Sequence, residues 1–446
     1  MGRYFGTDGI RGKVNDKLTS QLAHDLGLAV GKMLQEINGH TSKTVVIGRD
    51  SRNSGVMLEH ALSAGLMAQG YHVVSLGQIP TPAIAYLTRY YKAILGVVIS
   101  ASHNPYWDNG IKFFDHEGRK LNDSLESLVE TYLEGDFAVE TKVEDIGQYT
   151  IETEGKEIYK AFLKEQYEHF GKKKKVVLDM ANGASSGLAE DLFNELGLEV
   201  ISIGDRPNGT NINDNCGSTH LEALREKVQT EKADFGFAFD GDADRFLAID
   251  EYGEVLDGDN LLYIYALYLK EHRALANNTL VATVMSNLGL RKALEVADIT
   301  FVETSVGDRF VSQGMQEYQA NLGGEQSGHL IFSEYNTTGD GLLSAIMLLN
   351  VIFSSGRALS ELRKSLKLYP QVLVNVRVKN KDGWEDNTAI KNEIKKQEES
   401  LDGEGRILVR ASGTEPLIRV MIEGKEQQKI EAMAKNLADF IGEALG

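Results

Sequence analysis

Short β-rich runs that end in polar turns recur along the chain, separated by segments of helical length, and this alternation restricts the fold more than any other feature. Thr44-Val45-Val46-Ile47 precedes Gly48-Arg49-Asp50-Ser51-Arg52, and Lys175-Val176-Val177-Leu178-Asp179 precedes Met180-Ala181-Asn182-Gly183. Thr279-Leu280-Val281-Ala282-Thr283-Val284 precedes Met285-Ser286-Asn287 in the same way. Buried strands alternating with helices are the signature of βαβ units on mostly parallel sheets. Each run opens a new block, roughly a hundred residues or more from the previous one, so related α/β domains are expected. The last fifth changes character. Gln371 to Val378 and Leu417 to Glu423 alternate like half-exposed strands, and a helical stretch from Gln427 to Leu445 follows. That combination predicts a small α+β domain with one sheet face solvated.

Among the apolar runs, Val97-Val98-Ile99-Ser100-Ala101-Ser102-His103-Asn104-Pro105 ends in two serines followed by turn residues through Gly110. Ligands in open α/β sheets bind beyond the carboxyl ends of strands, so a hydroxyl placed there stands where chemistry is usually done. A second run, Phe235 to Phe239, delivers Asp240-Gly241-Asp242-Ala243-Asp244-Arg245 before Phe246 to Asp250 resumes the apolar pattern. Three carboxylates at alternate positions repel one another unless a cation sits between them, and hard divalent ions such as Mg²⁺ take oxygen ligands of this kind. Glu251 falls where a calcium-binding EF-hand places its last ligand, but Arg245 stands where that loop needs glycine, and the flanks read as strands.

Two further loops carry ligand chemistry. Leu322-Gly323-Gly324-Glu325-Gln326-Ser327-Gly328-His329 places a carboxylate, an amide, a hydroxyl and an imidazole among three glycines, an inventory suited to a polyhydroxylated ligand. Val409-Arg410-Ala411-Ser412-Gly413-Thr414-Glu415-Pro416, with Arg419 on the next strand, brings together guanidinium forks, hydroxyls and turn N–H groups that suit a phosphate dianion.

The net charge of −18 argues against general affinity for nucleic acid or anionic membranes, so an anionic substrate needs locally concentrated cations. One cysteine, Cys216, excludes an internal disulfide framework and a multi-cysteine zinc site. No apolar stretch approaches the ~20 residues of a membrane span, and the opening residues carry no apolar signal region, so a cytoplasmic location is expected.

The four loops together, in this order, resemble those of the α-D-phosphohexomutase superfamily. The opening Gly2-Arg3-Tyr4-Phe5-Gly6-Thr7-Asp8-Gly9-Ile10-Arg11-Gly12, the segment Asn208-Gly209-Thr210-Asn211-Ile212-Asn213 with Cys216-Gly217-Ser218-Thr219-His220, and Gln326 resemble its glucosamine branch. Trp107, where Tyr or Phe is expected, and Lys13, where a small apolar residue is commoner, depart from the pattern. The resemblance implies four domains around a central cleft, three related α/β mixed-sheet domains plus a small C-terminal α+β domain. The boundaries expected are 1–150 with a phosphoserine loop, 151–252 with a metal loop, 253–367 with a sugar loop and 368–446 with a phosphate loop.

It further implies that Ser102 is the phosphorylated serine, a choice over Ser100 that rests on resemblance alone. Mg²⁺ is then held by Asp240, Asp242 and Asp244 with the Ser102 phosphate. Glu325, Ser327, Gly307 and Asp308 contact the sugar, and Arg410, Ser412, Gly413, Thr414 and Arg419 take a phosphate. Lys112, Arg245 and Arg11 are charge partners, with His329 and Lys112 both standing as general base. The implied reaction interconverts glucosamine 6-phosphate and glucosamine 1-phosphate through glucosamine 1,6-bisphosphate, on the way to UDP-N-acetylglucosamine and peptidoglycan precursors. That bisphosphate, or another phosphorylating primer, is needed to start the cycle. A phosphomannomutase/phosphoglucomutase of the same superfamily and a Mg²⁺-dependent sugar phosphatase are the alternatives, and a homodimer is left open. An amino-sugar phosphate is the partner expected, with no nucleic acid and no membrane.

Overall fold

Helices pack on both faces of the first sheet, which is why its strands read as continuous apolar runs. The computed structural model describes residues 3–6, 8–36, 42–135, 137–169, 173–381, 383–411 and 417–446. In space the first sheet runs Ile10–Lys13, Asp108–Asp115, Leu95–Ile99, Thr44–Arg49, His72–Gln78, Tyr149–Ile151. One face, through Val45, Ile47, Val97 and Ile99, joins a core with the helices Ser20–Glu36 and Ser54–Ala68. On the other, Gly48 and Gly96 leave room for Ile84 and Thr88 of the helix Thr81–Tyr90, so that helix lies close to the backbone. Leu95–Ile99 is buried at all five positions.

Two more sheets repeat the plan. The second is ordered Val255–Leu256, Phe246–Asp250, Phe235–Phe239, Lys175–Asp179, Glu199–Ile203, and the third Thr300–Thr304, Thr279–Thr283, Leu322–Gly324, Leu330–Phe332. In each of the three, a set of parallel strands ends in one that turns back into an antiparallel neighbour. Leu95–Ile99 returns as Asp108–Asp115, Phe235–Phe239 as Phe246–Asp250, and Leu322–Gly324 as Leu330–Phe332. The serine loop, the carboxylate loop and the sugar loop therefore occupy the same place in three successive sheets. A short return cannot join parallel strands, so this antiparallel step is what permits a tight functional loop at the strand ends.

The chain divides into two compact units, Met1–Met285 with Asp298–Ser365, and Ser286–Ala297 with Leu366–Gly446. In the second unit, Gln371–Arg377, Leu417–Gly424 and Gly405–Ala411 form an antiparallel sheet with Leu417–Gly424 in the centre. The helix Gln427–Leu445 covers one face through Ile430, Leu437 and Ile441, while Thr388–Glu399 buries only Ile390 and keeps its charges in solvent. Leu288 of the helix Leu288–Val296 is tied in by its N–H, which donates to Glu423 at 3.1 Å. No helix among the described residues is long and apolar enough to cross a membrane.

Candidate active site

Ser102 lies just past the end of Leu95–Ile99 with φ +50°, in the left-handed region that non-glycine residues rarely adopt. That turn is held on both sides. The Ser102 N–H donates to Ser100 Oγ at 2.9 Å, which gives Ser100 a structural part in the loop. The Ser102 hydroxyl is buried and donates to Asp240 Oδ2 at 2.5 Å, across 138 positions of sequence. Gly241 makes this approach possible, because a Cβ there would stand 2.6 Å from the Ser102 carbonyl oxygen.

Asp240, Asp242 and Asp244 are all buried, with carboxylate oxygens within 4.8 Å of one another. Burial, followed by the neighbouring carboxylates, pushes Asp240 well above the usual carboxylate range and raises Asp244. Burial opposes ionisation of Asp242 too, but Lys112, the Thr81 hydroxyl and Arg11 outweigh it and hold that carboxyl low. Thr81 Oγ1 donates to Asp242 Oδ2 at 2.8 Å, and Lys112 Nζ donates to the same oxygen at 3.2 Å. Asp242 Oδ1 and Asp244 Oδ1 are buried without a hydrogen-bond partner. Two orphaned oxygens beside a third carboxylate are costly unless a cation takes them, so the donor set fits a hard divalent ion.

Beside this triplet, cationic and anionic side chains alternate. Lys112 Nζ is 3.0 Å from Asp8 and 3.9 Å from Asp244, and Lys120 bridges Asp8 and Asp308. His329 Nε2 is 3.7 Å from Asp308 and 3.9 Å from Asp244. Burial opposes the charged form of Lys112, yet Asp242 and Asp8 outweigh it and raise its pKa, so the ammonium stays protonated at neutral pH. Arg11 also pairs with Asp8, and the Arg245 N–H donates to Asp240 Oδ1 at 3.2 Å. Both ring nitrogens of His329 are buried without a hydrogen-bond partner, and Gly339 lies so close that a Cβ would meet the ring at 2.5 Å.

The sugar loop is stitched to the carboxylate loop by the Phe246 N–H, which donates to the Gly328 carbonyl at 2.9 Å, and by a bridge between Arg245 and His329. Glu325 Oε1 accepts from the Gly307 N–H at 3.0 Å, and Ser327 Oγ lies 3.5 Å from Glu325 Oε2. Gln326 donates to Asp257 at 3.2 Å. Ser102, Lys112, Arg11, the Asp triplet, Arg245, Glu325, Ser327, Gly307, Asp308 and His329 are thus linked through one contiguous network in the first unit.

In the second unit, Arg410 and Arg419 are direct cross-strand partners on one sheet face. Burial, and then Arg419, lowers the pKa of Arg410. Like charges placed opposite are destabilising, and Arg419 Nε is buried without a partner, so the pair suits an anion. Ser412, Gly413 and Thr414 lie outside the described residues. The sequence pattern assigns no role to Asp8, Lys120, Thr81, Arg52 or Asn213, although Asp8, Arg52 and Asn213 stand within segments that it marks.

The four domains described as phosphoglucomutase/phosphomannomutase domains I, II, III and the C-terminal domain match residues 2–139, 157–253, 257–369 and 373–440. A phosphoglucosamine mutase of Shouchella clausii is 50% identical over 447 residues, covering 100% of both chains. The chain belongs to the phosphoglucosamine mutase family. This family sits within the phosphohexomutase superfamily, and the mixed α/β sheets with a small antiparallel C-terminal domain agree with that fold. A phosphoglucomutase/phosphomannomutase family protein from Burkholderia thailandensis superposes with TM-score 0.82 at 22% identity, covering 99% of this chain and 98% of that one. An Aspergillus fumigatus N-acetylphosphoglucosamine mutase, solved with GlcNAc-6P and magnesium, superposes with TM-score 0.71 at 17% identity, covering 99% and 96%.

Proposed function

We propose that this protein interconverts glucosamine 6-phosphate and glucosamine 1-phosphate by way of a phosphoserine at Ser102 and a glucosamine 1,6-bisphosphate intermediate. The product serves UDP-N-acetylglucosamine and peptidoglycan precursor synthesis. The observation that carries this reading is the Ser102 hydroxyl bonded at 2.5 Å to Asp240, inside a buried triplet that fits a divalent cation. Family membership supplies the substrate class.

Asp240, Asp242 and Asp244, together with a phosphate on Ser102, would hold Mg²⁺, which supplies charge neutralisation for phosphoryl transfer. The magnesium in the Aspergillus fumigatus structure supports this choice of ion. Lys112, beside Asp242, and Arg245, beside Asp244, stabilise the charge that spreads over the transferring phosphoryl group. Lys112 lies 3.2 Å from Asp242 and 3.0 Å from Asp8, which suits it to the part of an electrostatic partner. His329, whose two buried ring nitrogens make no hydrogen bond, takes the proton from the attacking sugar hydroxyl. Glu325 and Ser327, with Gly307 and Asp308, orient the sugar. Arg410 and Arg419, with Ser412, Gly413 and Thr414, bind a substrate phosphate.

In the first half-reaction, the bond between phosphorus and Ser102 Oγ breaks as the free sugar hydroxyl attacks. In the second, Ser102 Oγ attacks the other phosphate, the bond between that phosphorus and its sugar oxygen breaks, and His329 returns the proton to that oxygen as the opposite monophosphate leaves. An unphosphorylated chain needs the bisphosphate, or another phosphorylating primer, before its first turnover. The test is a side-by-side assay with glucosamine, glucose and mannose 6-phosphates, together with a phosphate-release measurement. Fastest conversion of the glucosamine substrate without phosphate release is expected. Preferred turnover of the mannose or glucose compound, or net hydrolysis, would overturn the assignment.

A further inference from the structure

We infer that Asn213 is a positioning residue for the phosphoryl-carrying loop, acting with Arg52 as a two-sided clamp on the Ser102 and Asn104 carbonyls. The inference rests on the reading of Ser102 as the phosphoryl carrier and assigns a role to the Asn-rich segment between Asn208 and His220. Asn213 Nδ2 donates to the Ser102 carbonyl at 2.9 Å and to the Asn104 carbonyl at 3.1 Å. Arg52 reaches the same two oxygens from the opposite block of sequence, with Nη2 3.2 Å from Ser102 O. Its side chain is fully buried and paired with Asp50, which fixes the fork in place. Gly241 closes the third side, since a Cβ there would lie 2.6 Å from Ser102 O and 2.8 Å from Asn213 Nδ2.

The clamp has a mechanical consequence. At φ +50° the Ser102 backbone is in a sparsely populated conformation that survives only where the surroundings over-determine it. With the carbonyl pinned, the hydroxyl is left on the side of Asp240, and the donors need not move whether Oγ carries a phosphoryl group or not. Asn213 is itself held at φ +58°, a region asparagine tolerates well, and its N–H donates to the Ala181 carbonyl at 2.9 Å. The segment is joined to the serine side again at Asn53, whose N–H donates to the Gly209 carbonyl at 3.0 Å, and the neighbouring Asn182 carbonyl accepts from the Ser51 hydroxyl. Among the described residues, the hydrogen bonds of Asn213 go to the Ser102, Asn104 and Ala181 carbonyls and not to the triplet's carboxylates or the sugar loop, so it acts through the placement of Ser102.

The experiment uses full-length protein with Asn213→Gly, which keeps the positive φ without strain, and Asn213→Asp, which keeps the size but removes both donors. Phosphate uptake at Ser102 from glucosamine 1,6-bisphosphate is followed by intact mass, alongside kcat, KM for glucosamine 6-phosphate and thermal melting, with Ser102→Ala as the blank. Both variants should lose about 10- to 100-fold in uptake rate and in kcat, with KM near the wild-type value, because the sugar is held by other loops. Wild-type uptake and turnover in both variants would overturn the clamp, as would a loss that follows a collapse of the melting temperature. Failure of the wild-type protein itself to take up phosphate at Ser102 would instead overturn the parent reading.

Discussion

Gly241→Ala is the smallest change that tests whether the meeting of the serine and carboxylate loops sets the rate. The added Cβ would stand 2.6 Å from the Ser102 carbonyl and 2.8 Å from Ile212 Cδ1. Ordinary contact begins at 3.4 Å, so the loops have to part by about 0.8 Å. Gly241 is not among the positive-φ glycines, so alanine adds no backbone strain and the perturbation is one of spacing. Overpacking of this kind costs about 1–3 kcal/mol of stability, which a chain with so extensive a buried core tolerates. The effect on chemistry is larger. A displacement near 1 Å between phosphoryl carrier and metal ligands is expected to cost about 100-fold in kcat, or about 2.7 kcal/mol of barrier. Conversion of glucosamine 6-phosphate, followed by a coupled assay together with a thermal melt, reads both quantities. A folded variant whose kcat stays within about threefold of wild type would refute the reasoning, since it would mean that the loops need not touch.

Other consequences follow from the same contacts. A chelator should abolish turnover and Mg²⁺ restore it, whereas Asp242→Ala should stay folded and inactive at any Mg²⁺ concentration; metal-independent activity would contradict the donor set. Lys112→Met leaves Asp8 and Asp242 facing each other without their shared cation, and kcat should fall about 10²–10³-fold, measured at saturating substrate. Arg419→Ala relieves the repulsion with Arg410 and should leave melting unchanged or slightly raised, while KM for the monophosphate rises about tenfold or more. Glu126 is raised by burial from 4.5 to about 7, partly offset by Arg309. The folded state therefore binds the extra proton between those values, and its stability falls as pH rises through that window. Glu126→Gln should accordingly melt above wild type at pH 8, with the gap closing as the pH falls towards 4.5.

What was legible in the sequence was local. The strands Lys175–Asp179, Phe235–Phe239 and Phe246–Asp250 have the bounds their apolar runs imply, and the carboxylate triplet announces itself by density alone. The final helix Gln427–Leu445 is likewise where its periodicity puts it. What escaped was the partnership of solitary residues across long separations. Lys120 and Asp8 lie 112 positions apart, Asn213 and Ser102 lie 111 apart, and Thr81 meets Asp242 across 161. None of these pairings can be read from its surroundings, because a single buried contact leaves no period and no cluster. The resemblance implied one functional loop in each α/β domain, but not the common place of those loops in the sheets. Their residue patterns differ, and the antiparallel return that follows the parallel strands in each sheet makes them counterparts.

The central claim is that Ser102 carries the phosphoryl group, and phosphosite mapping during turnover tests it most directly. Enzyme primed with glucosamine 1,6-bisphosphate should carry one phosphate, located on Ser102, that is transferred to glucosamine 6-phosphate at a rate matching kcat and is missing from Ser102→Ala. Phosphate located on Ser100 or elsewhere, or full turnover by Ser102→Ala, would contradict the account.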